Sequence, residues 1–339
     1  MGSHNRLGSL GDDERVSVIV PCYNEQATIG LLLNALYNQS FPRQKMEILI
    51  ADGLSTDGTL DAIRTFHTAH SDLQVKVLTN PRRLIPAGLN IALREAKGEY
   101  IVRLDAHSIP NPDYVERCVN ILRSGMGDNV GGAWEIAPGG KSWIARSIAA
   151  AAAHPLGVGD ARYRVGGGAQ AVDTVPFGSF RRSLVDSIGF FDESLLTNED
   201  YEFNVRIRQS GGTVWFDPSI RSIYYARAKL GSLARQYFRY GYWKGRMLLR
   251  YPKTIRWRQL LPPLFVLSLI ILLVMSLFWT AAMFALCSMV GVYILVLIGA
   301  GALLALKKGD FTLIIGFPMA VATMHLCWGG ALLWSLIYS

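Results

Sequence analysis

Ionic residues are almost missing from the end of this chain: beyond Arg258 there are only Lys307, Lys308 and Asp310. That absence excludes an ordinary water-exposed domain from Leu260 onward. The runs "LLPPLFVLSLIILLVMSLFW", "AAMFALCSMVGVYILVLIGAGALLAL" and "FTLIIGFPMAVATMHLCWGGALLWSLIY" each reach the roughly 20 apolar residues a bilayer-spanning helix requires. They predict three transmembrane helices at about 260–279, 281–306 and 311–338. Cysteine is scarce as well, and Cys22, Cys118, Cys287 and Cys327 have no metal-ligand or disulfide spacing. A zinc module and a disulfide scaffold are therefore excluded. No Gly-x-Gly-x-x-Gly follows the first strand, which excludes a dinucleotide-binding dehydrogenase. The N-terminus is polar and offers no cleavable signal; residues 1–14 read as a tag remnant or disordered leader. No internal repeat is visible.

What charge there is tells where the membrane lies. The net charge is +8, and much of the excess sits beside the apolar runs, in Lys244, Arg246, Arg250, Lys253, Arg256 and Arg258. Basic side chains there meet anionic headgroups of a lipid bilayer, so no nucleic-acid partner is implied. Lys307 and Lys308 lie between the second and third runs. By the bias of Lys and Arg towards cytoplasmic loops, both basic segments face the cytoplasm. The expected topology is a multi-pass protein of the bacterial inner membrane, its N-terminal domain cytoplasmic and its C-terminus outside.

The first 250 or so residues read as an α/β protein. "RVSVIV", "MEILIAD", "VKVLTN" and "YIVRLDAH" are strands, separated by segments with apolar residues at helical spacing, such as Ile29, Leu32, Leu33 and Leu36. Strands alternating with helices predict a Rossmann-like sheet, parallel or mixed. The turns after the first, second and fourth strands carry "PCYNE", "ADGLSTDG" and "DAHS". Ligand sites of open α/β sheets lie at the carboxyl ends of strands, so all three turns converge on one edge. Asp105 and His107 are both metal-ligand types on one such turn. Further on, "TNEDYEF" opens a helix with Glu199 and Asp200, where acidic side chains also suit the helix dipole. The stretch "LGSLARQYFRYGYWKGRMLLRYP" interleaves aromatic and basic residues and predicts an interfacial amphipathic helix. His154 and His325 are assigned no role.

These motifs, in this order, resemble glycosyltransferase family 2, the inverting enzymes of GT-A fold that use nucleotide-diphosphate sugars. The resemblance covers roughly Val16 to Arg250 and is most similar to the branch that makes succinoglycan-type exopolysaccharide. It implies a GT-A catalytic domain over 15–227, interfacial helices over 228–258 and a transmembrane domain over 259–339. It implies that Pro21, Tyr23, Asn24 and Glu25 form the first nucleotide-contacting turn, with Asp52 and Ser55 in the second. In "NPRRLIPAGLNIAL", Arg82 or Arg83 meets phosphate, where a planar guanidinium suits paired oxygens.

"DAH" stands where the family carries a DXD motif. Asp105 is the metal ligand this implies, and His107, in place of the second aspartate, either ligates the ion or lines the site. An imidazole suits Mn²⁺ better than Mg²⁺, so the divalent cation expected is Mn²⁺. Asp200 becomes the base that deprotonates the acceptor hydroxyl, with Glu199 beside it. Gln236, Arg239 and Tyr240 are candidates near the acceptor and diphosphate. Arg227 falls where relatives have a late histidine.

The reading is an inverting hexosyltransferase for polysaccharide biosynthesis. Its donor is UDP-glucose or a similar nucleotide-diphosphate sugar, and its acceptor a polyprenyl-linked saccharide at the cytoplasmic membrane face. The alternatives are a polyprenyl-phosphate glycosyltransferase, for which a phosphate acceptor needs little deprotonation, and a non-catalytic nucleotide-sensing membrane subunit.

Overall fold

The buried strand runs of the sequence become the centre of a nine-stranded sheet in a computed structural model that describes residues 14–338. Residues 1–13 of the expected leader lie outside the described residues; Glu14 accepts a hydrogen bond from the Tyr100 hydroxyl at 3.2 Å. The strands are β1 (Val16–Cys22), β2 (Met46–Asp52), β3 (Gln74–Thr79), β4 (Tyr100–Arg103), β5 (Ile109–Pro110), β6 (Asn129–Pro138), β7 (Gln170–Ala171), β8 (Ser179–Arg181) and β9 (Val214–Ala226). Their order is β3-β2-β1-β4-β8-β6-β9-β5, with β7 also paired to β9. The first four run parallel, Val18 lying opposite Ile48 and Val102. β8 joins β4 antiparallel, so the sheet is mixed.

Four helices cover the parallel half: α1 (Ile29–Tyr37), α2 (Thr59–Ala69), α3 (Ile85–Glu95) and α4 (Tyr114–Arg123). A parallel sheet is buried on both faces, which is why β1 is an almost continuous apolar run with Val16, Val18, Ile19 and Val20 fully buried. Ile29, Leu32, Leu33 and Leu36 of α1 pack into the same core, as their spacing predicts. Pro86 sits in the first turn of α3, where its missing N–H costs nothing.

The chain divides into two compact units. One comprises the described residues up to Glu135 together with Gly166–Tyr224; the other comprises Ile136–Val165 and Tyr225 onward. The stretch 136–165, grouped with the catalytic domain in the sequence reading, thus keeps company with the C-terminal helices. It forms α5 (Trp143–Ala152), α6 (Pro155–Val158) and α7 (Arg162–Val165). Within the first unit, α8 (Leu184–Ile188) and α9 (Glu199–Gln209) follow β8.

The second unit continues with α10 (Leu230–Arg250), α11 (Trp257–Met275), α12 (Thr280–Lys308) and α13 (Leu313–Ile337). The last three are long and apolar enough to cross a membrane. α10 is the amphipathic helix expected, and its glycine face lies on α13: a Cβ added at Gly241 would sit 2.2 Å from the Trp328 carbonyl oxygen. His154 caps α6, its Nδ1 accepting from the Leu156 N–H at 3.1 Å. His325 Nε2 lies 2.7 Å from the Leu156 carbonyl oxygen and its Nδ1 lies 3.0 Å from the Tyr293 hydroxyl, so both histidines serve packing.

One glycine shows how tightly β1 is flanked. A Cβ at Gly98 would lie 2.5 Å from the Ser17 backbone nitrogen, and backbone cannot swing aside. Gly98→Ala is expected to destabilise the first unit by about 1–3 kcal/mol, read as a lowered melting temperature of the detergent-solubilised protein.

Candidate active site

The three turns expected to converge do so, and specific hydrogen bonds weld them together. After β1, Asn24 adopts a left-handed conformation (φ 54°). Its backbone N–H donates to Ser55 Oγ at 2.9 Å, and its Oδ1 accepts from the Thr56 N–H at 2.8 Å. The Glu25 N–H donates to Thr59 Oγ1 at 2.8 Å. Asp52, at the end of β2, accepts from the Ser55 hydroxyl at 2.6 Å and the Ser55 N–H at 3.0 Å. Tyr23 rests on Gly53, where an added Cβ would lie 3.2 Å from both the Tyr23 Cβ and its ring Cδ2. The Arg83 guanidinium stands 5.7 Å from the Tyr23 ring centroid, a cation–π distance. Pro21 and Cys22 close the strand; burial and then Asp52 and Glu25 push the Cys22 thiol up to about 12, so it stays protonated and unreactive.

The fourth strand supplies the charge centre. Beyond Arg103 the chain turns, and Ser108 donates from backbone and hydroxyl to the Asp105 carbonyl at 2.9 and 2.7 Å. His107 Nδ1 lies 3.1 Å from Glu25 Oε1, so the ring N–H donates to the carboxylate. That bond ties the first turn to the fourth and puts the lone pair of a neutral ring on Nε2.

Arg103, which the sequence reading did not single out, is 3% exposed. Its Nη2 donates to Glu199 Oε1 at 2.7 Å and reaches Asp105 Oδ1 at 3.4 Å. Its Nε and Nη1 have no hydrogen-bond partner among the described residues. A lone arginine ending an otherwise apolar strand was the signal available.

Glu199 and Asp200 open α9 behind Asn198, itself left-handed at φ 69°. Asp200 Oδ1 accepts from the Tyr201 N–H at 2.7 Å. Burial raises both carboxyls above their ordinary values, Arg103 pulls both back, and each faces the Asp105 charge. Asp105, Glu199 and Asp200 therefore share one field with Arg103 at its centre.

The segment before α9 is held by α3. Asn90 Nδ2 donates to the Phe191 carbonyl at 2.9 Å, its Oδ1 accepts from the Phe191 N–H at 2.9 Å, and Nδ2 also meets Glu193 Oε1 at 2.8 Å. Arg82 pairs with Glu193. Asn90 and Glu193 were likewise not anticipated. Arg227, Gln236, Arg239 and Tyr240 belong to the second unit; Gln236 donates to the Tyr240 hydroxyl at 3.1 Å.

Among the described residues, no three His, Cys, Asp or Glu side chains are arranged to hold an ion by themselves. Asp105 and His107 offer one carboxylate and one imidazole on a single turn. That partial donor set fits a divalent cation that takes its other ligands from outside these two side chains.

A mixed α/β sheet whose turns gather polar groups around Asp105 and the α9 carboxylates is the architecture of a GT-A glycosyltransferase. The pattern described as "Glycosyl transferase family 2" matches residues 17–189, and the chain belongs to that family; it is a glycosyltransferase. It is 32% identical over 259 residues to the succinoglycan biosynthesis protein ExoA of Rhizobium meliloti, covering 75% of this chain and 77% of that one.

It is 28% identical over 252 residues to the dolichyl N-acetyl-α-D-glucosaminyl phosphate 3-β-D-2,3-diacetamido-2,3-dideoxy-β-D-glucuronosyltransferase of Methanococcus voltae, covering 71% and 76%. Among solved structures, the mannosyltransferase PcManGT of Pyrobaculum calidifontis, in complex with GDP-Man and Mn²⁺, aligns with TM-score 0.59 at 22% identity over 91% of this chain and 86% of that one. It has the same fold.

Removing the guanidinium tests the charge cluster. Arg103→Met leaves Glu199 buried without its cation and is expected to cost about 3–5 kcal/mol. Adding Glu199→Gln is expected to recover most of that loss. A double-mutant cycle on thermal unfolding measures the coupling.

Proposed function

We propose that this glycosyltransferase moves a hexose from a nucleotide-diphosphate sugar, UDP-glucose or a close analogue, to a hydroxyl of a polyprenyl-linked saccharide. The reaction inverts the anomeric centre and serves polysaccharide biosynthesis at the cytoplasmic face of the plasma membrane. The observation that carries the reading is Asp200, at the first turn of α9, in the same field as Asp105 and with a carboxyl raised by burial. A base gains from a pKa raised towards working pH, and burial moves the Asp200 carboxyl in that direction against the pull of Arg103. The name of the Methanococcus voltae relative, which acts on a sugar carried by a dolichyl phosphate, supports a lipid-linked acceptor, as do the apolar helices of the second unit.

Asp200 takes the proton from the acceptor hydroxyl as its oxygen bonds to the anomeric carbon. The carbon–oxygen bond to the diphosphate breaks on the opposite face, and the nucleotide leaves with the bonding pair. Arg103 and Glu199 keep Asp200 oriented. Tyr23 lies against the base. Pro21, Asn24, Glu25, Asp52 and Ser55 shape the nucleoside seat, and Arg82 or Arg83 meets phosphate oxygens. Asp105, with His107 as neighbour, would hold a divalent cation, which would supply positive charge to the leaving diphosphate; the imidazole would favour Mn²⁺ over Mg²⁺. Arg227, Gln236, Arg239 and Tyr240 are assigned to the diphosphate and acceptor.

The test is nucleotide release from UDP-glucose, UDP-galactose and GDP-mannose with a lipid-diphosphate-sugar acceptor. Asp200→Asn is expected to lower kcat by about 10²–10⁴-fold. Near-full activity with that variant overturns the hydroxyl acceptor and favours transfer to a polyprenyl phosphate. Chelation is expected to silence the enzyme, with Mn²⁺ restoring more activity than Mg²⁺.

The pH profile follows from the raised carboxyl. A base works only when deprotonated, so the rate falls as pH drops through the raised value of Asp200. The acid limb of kcat is expected above the usual carboxylate range of about 4; a limb at or below it removes Asp200 from the role.

A further inference from the structure

Of the three apolar helices, α13 is covered most: 39% of its apolar window is buried, against 6% for α11 and 17% for α12. Besides α11 and α12, a basic helix covers it. α10 runs against its second half, where a Cβ at Gly241 would meet the Trp328 carbonyl at 2.2 Å and one at Gly245 would meet Ser335 Oγ at 1.7 Å. Two glycines one turn apart thus bring the two backbones into direct apposition over residues 328–335. α10 carries Arg235, Arg239, Lys244, Arg246 and Arg250 along its length, with Arg235, Arg239 and Arg250 exposed. The start of α11 meets the same part of α13: a Cβ at Gly329 would lie 2.5 Å from the Pro262 carbonyl. Pro262 follows closely on Arg256 and Arg258, and Arg258 pairs with Asp160.

The first half of α13 has polar company too. Arg146 of α5 holds Asp310 at 2.7 Å, and a Cβ at Gly316 would lie 2.1 Å from Ser147 Oγ. The second half of α13 is therefore joined to the basic helix α10, and its start to the single cation Arg146 of the alanine-rich α5. The hairpin of α11 and α12 is different: Leu264, Ile270, Leu273, Phe284, Val292 and Leu295 are exposed, and its tip is Leu277-Phe278-Trp279.

We propose that α11 and α12 alone cross the bilayer, and that α13 lies with α10 and α5 in the headgroup boundary. The C-terminus then stays on the side of the basic segment before α11, not on the far side that charge counting along the sequence predicts. If α13 crossed, a helix with five cations would have to run beside it into the hydrocarbon, where ionised side chains are costly. Lying flat, α10 offers its exposed Arg235 and Arg250 to anionic headgroups. α13 then presents one stripe, Ile315, Met319, Leu326, Trp334 and Ile337, to the acyl boundary. The inference goes beyond the proposed reaction and does not depend on it.

The experiment uses the full chain in bacterial membranes, with the four native cysteines replaced and single cysteines introduced at Tyr338, Phe278 or Arg250. A membrane-impermeant maleimide is applied to intact spheroplasts and to inverted vesicles. Tyr338→Cys is expected to behave as Arg250→Cys does, reacting only in inverted vesicles, while Phe278→Cys reacts only in spheroplasts. Labelling of Tyr338→Cys in spheroplasts, alone or alongside inverted vesicles, overturns the proposal and restores three spans. Reporter fusions after residue 338, active on only one side of the membrane, give the same answer without any cysteine exchange.

Discussion

The contact between Arg103 and Glu199 is the constraint around which the site is organised. A guanidinium with almost no access to water needs anions, and the fold supplies them from two distant points of the sequence: Asp105 on the next turn and Glu199 at the head of α9. A buried ion pair contributes little net stability, because desolvation offsets attraction, but it is expensive to break. What it gives here is position. α9 could begin at several places along "LLTNEDYEF"; the bond to Arg103 fixes which residue is turned inward and which, Asp200, stands beside it.

Around that pair the backbone is bent into conformations ordinary residues avoid. Asn24, Leu54, Arg83 and Asn198 all have φ between 54° and 69°. Each stands in, or immediately before, a segment that the family resemblance assigns to the site. Such residues are strained by about 1–3 kcal/mol each and persist only where their surroundings over-determine them. Asn24 is over-determined by Ser55 and Thr56, and Asn198 precedes the helix that Arg103 anchors. The cost is concentrated where geometry matters most.

Much of this was legible in the sequence. Strands buried on both faces are apolar without interruption, so β1, β2 and β4 announced themselves. The turns following them were marked by Pro21, Gly53 and the Asp105–His107 pair. Arg103 was missed because a single charge in a strand reads as an edge residue until the partner, nearly a hundred positions away, is known. Asn90 was missed for the same reason: its partners at Phe191 and Glu193 are long-range. The allegiance of residues 136–165 to the C-terminal helices was hidden because α5 is an alanine-rich helix whose neighbours cannot be inferred from its own pattern. The glycines of α10 likewise look like helix breakers in sequence and become a packing face only when α13 is laid against them.

The grip of Asn90 has a consequence for how this enzyme can change over time. Its amide holds the loop ahead of α9 through the backbone of Phe191, donating to the carbonyl and accepting from the N–H. Backbone is common to every residue type, so this anchor is blind to what the loop's side chains are. Phe190 and Leu196, both exposed, can therefore be exchanged by drift or by design while the loop keeps its place. A lineage can revise the surface presented there in single steps, each inheriting the same scaffold.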